Sequence, residues 1–265
     1  MDKYRYFEGI EEYRLLAKHE VGQNFLIDPD VAERIVGLLD VQEGEKTLEI
    51  GSGAGSLTFF LLETAGQIEA IDIDEALIGK LKKDFGEETN VHYGNAAKWD
   101  YAPYDKIIGN LPYYITSLII EKALLHGESA KKMVFMVQKE AADRLLSGVG
   151  SKDYGPLPIL IGLSCAAKRA FSVKRSCFAP APHIDSTVMV FDMNPNRSHH
   201  LSEVYRLCSS LFLQRRKTLL NNLKNYLHDG EKAKAILEKL SLPLTIRPEQ
   251  VTPAQYLSLW ENIHA

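Results

Sequence analysis

The chain has 265 residues, 45% of them hydrophobic and 25% charged, with a formal net charge of −4; these globular proportions exclude a disordered tail and a collagen-like repeat. No apolar run reaches the roughly 18 residues of a membrane span, residues 1–20 lack the apolar centre of a signal peptide, and Cys165, Cys177 and Cys208 stand too far apart for a disulfide framework or a zinc knuckle. A reduced, cytoplasmic setting without membrane or metal is expected. The net charge hides a division: residues 1–130 carry 12 Lys and Arg against 24 Asp and Glu, whereas residues 131–265 carry 19 against 11. A polyanionic partner would meet the second half, although chance segregation of solvated faces gives the same totals.

From Lys46 to about Met193 short apolar runs alternate with helical patterns, which is the signature of βαβ units. Thr47 to Ile50 reads as a buried strand, followed by a glycine loop and a helix from Ser56 to about Thr64. Ile68 to Ile71 is the next strand and Glu75 to Phe85 its helix. Lys106 to Ile108 is a third strand ending at Gly109-Asn110, Met133 to Val137 a fourth that leads into a helix from Lys139 to Leu146, and Ser186 to Phe191 a closing strand. Asn194-Pro195-Asn196-Arg197-Ser198 is the best linker. Helical segments follow near 202–213, 231–240 and 253–263, and His199-His200 reads as solvated loop with no further metal ligand nearby. The expected organisation is an α/β domain over residues 1–193, with 1–20 as an N-terminal extension, and a small all-helical domain over 194–265.

Two loops carry chemistry. Glu49-Ile50-Gly51-Ser52-Gly53-Ala54-Gly55 follows a strand and opens a helix, where glycines allow a tight turn and let a ligand lie against the backbone. Asp72, twenty-one residues past Gly51, ends the next strand, where an acid can accept both hydroxyl protons of a ribose. The third glycine falls at Gly55, one position early for a dinucleotide fingerprint, and the tighter loop fits a nucleoside with an amino-acid tail such as S-adenosylmethionine. An unrelated strand–helix turn, Asp74 in place of Asp72, and Glu49 as an ion-pair partner stay open. Asn110-Leu111-Pro112-Tyr113 ends a strand of the same sheet. The N6 lone pair of adenine is delocalised into the ring. An amide oxygen from Asn110 and a backbone carbonyl held before Pro112 would accept both N6 protons and aim the lone pair at a sulfonium methyl, so positioning and electrostatics supply the rate. Tyr113 offers a face on which an extruded base stacks. A plain turn with core aromatics is the alternative.

In this order the motifs resemble the rRNA adenine N6,N6-dimethyltransferases, which include the KsgA type acting on small-subunit rRNA and the Erm antibiotic-resistance type, over about Val21 to Ile263. The resemblance implies a Rossmann-like class I methyltransferase sheet with a small C-terminal helical domain. Gly22-Gln23-Asn24-Phe25-Leu26 resembles the opening motif, whose Asn24 and Leu26 would touch the methyl donor beside Gln23. Glu49, Gly51, Gly53, Gly55, Asp72, Ile73, Asn95, Ala96 and Asn110 complete the implied S-adenosylmethionine site. Asn110, Leu111, Pro112 and Tyr113 match the catalytic loop, and Phe178, in Phe178-Ala179-Pro180-Ala181-Pro182-His183-Ile184-Asp185-Ser186, is implied to cover the target base opposite Tyr113. Val137-Gln138-Lys139-Glu140 and Tyr154-Gly155-Pro156-Leu157 match further.

Asn95 departs from the family's aspartate, which implies an uncharged acceptor for the donor's adenine amine, and Asp72 is one methylene shorter than the usual ribose-binding glutamate. Gln214-Arg215-Arg216-Lys217-Thr218-Leu219 and the stretch Arg247-Pro248-Glu249-Gln250 resemble the KsgA type, with Arg215, Arg216 and Lys217 as implied phosphate contacts. Lys131-Lys132, Lys168-Arg169 and Lys174-Arg175 extend the positive half. The implied function is dimethylation of two adjacent adenines near the 3′ end of small-subunit rRNA, within an assembling small subunit, by a monomer. An Erm-type large-subunit methylase and a non-catalytic assembly factor are the competing readings.

Overall fold

The structure, a computed structural model, describes residues 2–12 and 23–265. Gly22 and most of the stretch between the N-terminal extension's first helix and the opening motif lie outside the described residues. The strands are β1 (Phe25–Leu26), β2 (Lys46–Ile50), β3 (Gln67–Asp72), β4 (Val91–Tyr93), β5 (Lys106–Asn110), β6 (Lys132–Gln138), β7 (Cys165–Val173), β8 (Phe178–Ala179) and β9 (Ser186–Met193). The helices are α1 (Lys3–Glu12), α2 (Pro29–Leu39), α3 (Ser56–Leu61), α4 (Glu75–Phe85), α5 (Thr116–His126), α6 (Lys139–Leu145), α7 (Pro156–Ser164), α8 (Leu201–Phe212), α9 (Leu219–Leu227), α10 (Gly230–Lys239) and α11 (Pro253–His264).

The main sheet has the order β4-β3-β2-β5-β6-β9-β7. Its β4-β3-β2-β5-β6 part is parallel, and β9 returns antiparallel to β6. Parallel strands are covered on both faces and therefore read as continuous apolar runs. Accordingly Ile107, Ile108 and Met133 to Val137 are all fully buried. Ile50 pairs with Ile71 on one side and with Gly109 on the other. Chain order thus reverses about β2, which is where open α/β sheets form a ligand crevice at their carboxyl ends. Gly109 allows the close approach: a Cβ there would stand 2.6 Å from the Ile50 carbonyl oxygen.

Local chemistry starts the flanking helices. Asp28 caps α2 by accepting from the Val31 N–H with Pro29 in the first turn, and Asp74 caps α4 by accepting from the Ala76 N–H. Helix α3 stops at Leu61, short of Thr64, because residues 62–64 close into tight turns in which the Thr64 hydroxyl donates to the Leu61 carbonyl at 2.7 Å.

The chain forms two compact units, residues 1–142 with 167–193, and residues 143–166 with 194–265. The expected boundary at 193/194 is one of the crossings, but 143–166 belongs with the second unit rather than the first. The reason is apolar: Tyr154 and Ile159 are buried with Val204, Leu207, Leu211, Leu223, Tyr256 and Leu259 in one core. The Tyr154 hydroxyl also donates to the Val251 carbonyl at 2.9 Å. Among the described residues no helix is long and apolar enough to cross a membrane.

Candidate active site

A crevice of about 270 Å3 opens at the carboxyl ends of β2, β3 and β5, near the lower end of small-molecule sites, roughly 300 Å3. It brings together Gln23, Asn24 and Leu26 ahead of α2, Glu49 from β2 with Gly51 and Gly53 from the loop after it, Asp72 at the end of β3 with Ile73 after it, Asn95 and Ala96 after β4, and Asn110 at the end of β5 with Leu111, Pro112 and Tyr113 after it. Two expected residues do not line it. Gly55 has φ +92°, and a Cβ there would overlap the Tyr6 hydroxyl and Leu81, so this glycine serves packing behind the loop. Phe178 is buried in a core with Phe25 and Leu26, its backbone paired to Leu26.

The glycine loop is tied to the end of β3. Gly51 and Ser52 donate to the Ile71 carbonyl at 2.8 and 3.2 Å, and the Gly53 N–H donates to Asp72 Oδ2 at 2.8 Å. Gly51 and Gly53 have φ +71° and +53°, in the left-handed region that glycine adopts without strain. Asp72 Oδ1 accepts from the Asp74 N–H at 2.9 Å. The Ile73 N–H also reaches this carboxylate, so three backbone donors fix a side chain that lines the crevice. Asp74 is taken up differently: it caps α4 and accepts from Gln23 Nε2 at 3.3 Å. Asn95 Oδ1 accepts from the Ala97 N–H at 2.9 Å, which orients the carboxamide.

The Asn-Leu-Pro-Tyr loop is equally fixed. Asn110 Nδ2 donates to the Asn24 carbonyl at 3.1 Å, which leaves the amide oxygen as the acceptor. The Leu111 N–H donates to the Met136 carbonyl, and the Pro112 carbonyl accepts from the Thr116 hydroxyl at 3.0 Å. The Tyr113 hydroxyl lies 3.5 Å from the Ser186 hydroxyl, and burial pushes its phenol up. Burial likewise pushes the Glu49 carboxyl up to about 8 against a hydrogen bond from the Thr58 hydroxyl at 2.6 Å. Asp72 is raised by burial too, opposed by the N–H groups of Gly53 and Asp74.

A model of the family described as ribosomal RNA adenine dimethylase matches residues 14–264. The chain belongs to the ribosomal RNA adenine dimethylase family. It is 33% identical over 264 residues to the ribosomal RNA small subunit methyltransferase A of Malacoplasma penetrans, covering 97% of this chain and 96% of that one. To the protein of the same name from Lactobacillus acidophilus it is 36% identical over 283 residues, covering 97% and 94%. A dimethyladenosine transferase from Plasmodium falciparum superposes with a TM-score of 0.77 at 29% identity, over 88% of this chain and 94% of that one. The 23S rRNA methyltransferase ErmE superposes at 0.66 with 22% identity, over 91% and 100%, a likeness of fold. The dimethylase is thus an rRNA methyltransferase with the class I Rossmann-like sheet expected from its motifs.

Ser52 is not among the residues that the sequence motifs single out, yet it lines the dimethylase crevice, and its buried hydroxyl has no hydrogen-bond partner among the described residues. Its place between Gly51 and Gly53 is the one signal that points to it. Phe25, Tyr114 and Ile119 also line the crevice. In the second unit Arg216 and Lys217 are exposed. Arg215 donates to the carbonyls of Lys152 and Ser151 and stands 3.7 Å from Glu249, bracing the turn. Of the other basic pairs, Lys131 binds Glu45 and Asp105, while Lys132 and Lys168 share Asp192.

Proposed function

We propose that this dimethylase transfers methyl groups from S-adenosylmethionine to N6 of two adjacent adenines near the 3′ end of small-subunit rRNA, acting as a monomer on an assembling small subunit. The observation that carries the chemistry is Asn110: its amide nitrogen donates to the Asn24 carbonyl, and the residue lines the same crevice as the glycine loop. The relatives named for small-subunit rRNA support the substrate.

The residues present fit the donor. Gly51 and Gly53 at positive φ leave their backbone open to a nucleoside, Asp72 stands where a ribose would lie, and the buried Ser52 hydroxyl wants a polar partner. Bound there, S-adenosylmethionine supplies an electrophilic methyl on a sulfonium that departs as a neutral thioether. Asn110 Oδ1 and the Leu111 carbonyl accept the two N6 protons of adenine and turn the nitrogen lone pair out of ring conjugation. That nitrogen forms the new bond to the methyl carbon as the carbon–sulfur bond breaks, and the displaced electron pair stays on sulfur. One N6 proton then leaves to water, so no strong base is required. Tyr113, half-buried and lining the crevice, gives the base its stacking face. Phe178 packs behind Phe25 and Leu26 of β1, which themselves line the crevice. Arg216 and Lys217 meet phosphate.

Incubating unmethylated small subunits with enzyme and methyl-labelled donor tests this, with the labelled adenines mapped. Label near the 3′ end of small-subunit rRNA is expected; label confined to large-subunit rRNA overturns the substrate. The Asn110→Ala variant should bind subunits as the parent does and methylate them about 100- to 1,000-fold more slowly. Equal turnover would remove Asn110 from the chemistry.

A further inference from the structure

Helix α1 lies ahead of the residues that the family model matches, which begin at residue 14, and no expected donor contact comes from it. It is nevertheless built onto the back of the glycine loop. The Tyr6 hydroxyl, buried, donates to the Ala54 carbonyl at 2.9 Å. Lys80 of α4, also buried, donates to the same carbonyl at 3.1 Å and to the Tyr6 oxygen at 3.3 Å, and pairs with Asp84. The Tyr6 ring stacks on Phe59 of α3 with centroids 5.0 Å apart and lies 5.3 Å from Phe85 of α4. The Tyr6 hydroxyl and Leu81 occupy the space a side chain at residue 55 would need.

Ala54 lies between two glycines at positive φ, Gly53 and Gly55. Glycines on both sides give this stretch of backbone the freedom to rotate, and rotation would swing the carbonyl and spoil the face that Gly51 to Ala54 present to the crevice. Two buried donors on one carbonyl oxygen oppose that rotation, since turning away would break both hydrogen bonds in a place that water does not reach. We propose that Tyr6 and Lys80 are positioning residues for the methyl-donor loop: they hold the Ala54 carbonyl from behind, preorganise the loop, and thereby set donor affinity. An ordered loop loses less freedom when the donor binds. Helix α1 is on this account a working part of the donor site. The inference rests on the reading of the crevice as that site.

Titration calorimetry of the full chain with S-adenosylhomocysteine tests it, using the parent, Tyr6→Phe, Lys80→Met and the double variant. Tyr6→Phe should weaken binding about three- to tenfold, the size of one lost buried hydrogen bond. The double variant should lose more than the product of the two single losses, because only it leaves the Ala54 carbonyl without either donor. In steady-state methylation the KM for the donor should rise with Tyr6→Phe while kcat at saturating donor stays within about twofold. An unchanged affinity in Tyr6→Phe, or a fall in kcat with KM unaltered, overturns the positioning role, the second outcome being what a smaller folded fraction produces. Tyr6→Phe removes a single oxygen and decides the matter even where the double variant does not fold. A parent that binds no S-adenosylhomocysteine would defeat the donor-site reading itself, which separates the two failures.

Discussion

Glu49 shows how one side chain links the crevice to stability. It is fully buried, and burial outweighs the Thr58 hydrogen bond to push its carboxyl up to about 8, with the neighbouring Asp72 charge acting in the same direction. The folded chain therefore holds a proton that the unfolded chain releases above about 4.5. The contribution to stability is complete below about 4.5 and is lost as pH rises through about 8. Urea unfolding across this window should show stability falling with pH, and Glu49→Gln should remove up to about one proton from that slope. An unaltered slope would contradict the assignment. Residues such as Asn110 and Asp72 are legible in the sequence because each ends an apolar strand and must emerge at the sheet's carboxyl edge. Gly55, Phe178 and Arg215 are not. Their surroundings come from Tyr6, from Leu26 and from Ser151 and Lys152, partners far away in the chain whose approach no local pattern encodes.

Among the elements, the seam between β2 and β5 matters most because it sets the distance between the glycine loop and Asn110. Gly109→Ala would thrust a methyl group to 2.6 Å from the Ile50 carbonyl and 3.1 Å from Leu111, so the strands must part. A loss of about 1–3 kcal/mol in urea unfolding is expected, with a methylation rate reduced more than tenfold by the displaced carboxamide. Parental values for both would show that the seam yields without cost. The core strands β2, β3, β5, β6 and β9 are legible as apolar runs, but β4 has only three residues and β7 lies at the sheet edge with Lys168 and Arg169 within it. Such strands owe their form to their neighbours. Helix α2 carries usable signals, Asp28-Pro29 at its start and the left-handed Asp40 at its end. Helix α7 is apolar on most sides, so its period is blurred, and its tie to the second unit appears only once Tyr154 and Ile159 are seen in that core.

For the whole molecule, part of the positive charge of the second half is taken up within the chain. Lys131, Lys132 and Lys168 are engaged with acids of the chain itself, and Arg215 with backbone. Arg216 and Lys217 are exposed. Replacing both by alanine should weaken subunit binding and flatten its salt dependence by about 0.7–0.9 in log–log slope for each phosphate no longer neutralised, with S-adenosylhomocysteine affinity unchanged. A parental slope would move the phosphate-binding cations elsewhere. The discontinuous make-up of the second unit has a practical corollary. The chain leaves and re-enters that unit, and Asn194 is joined to Ser164 by a backbone hydrogen bond of 2.9 Å. A fragment subcloned from residue 194 onward would lack Tyr154 and Ile159 and bare the apolar faces that they cover on α8 and α11. During synthesis, too, the 143–166 segment of this unit must wait for its remaining helices to emerge before its apolar side chains find cover.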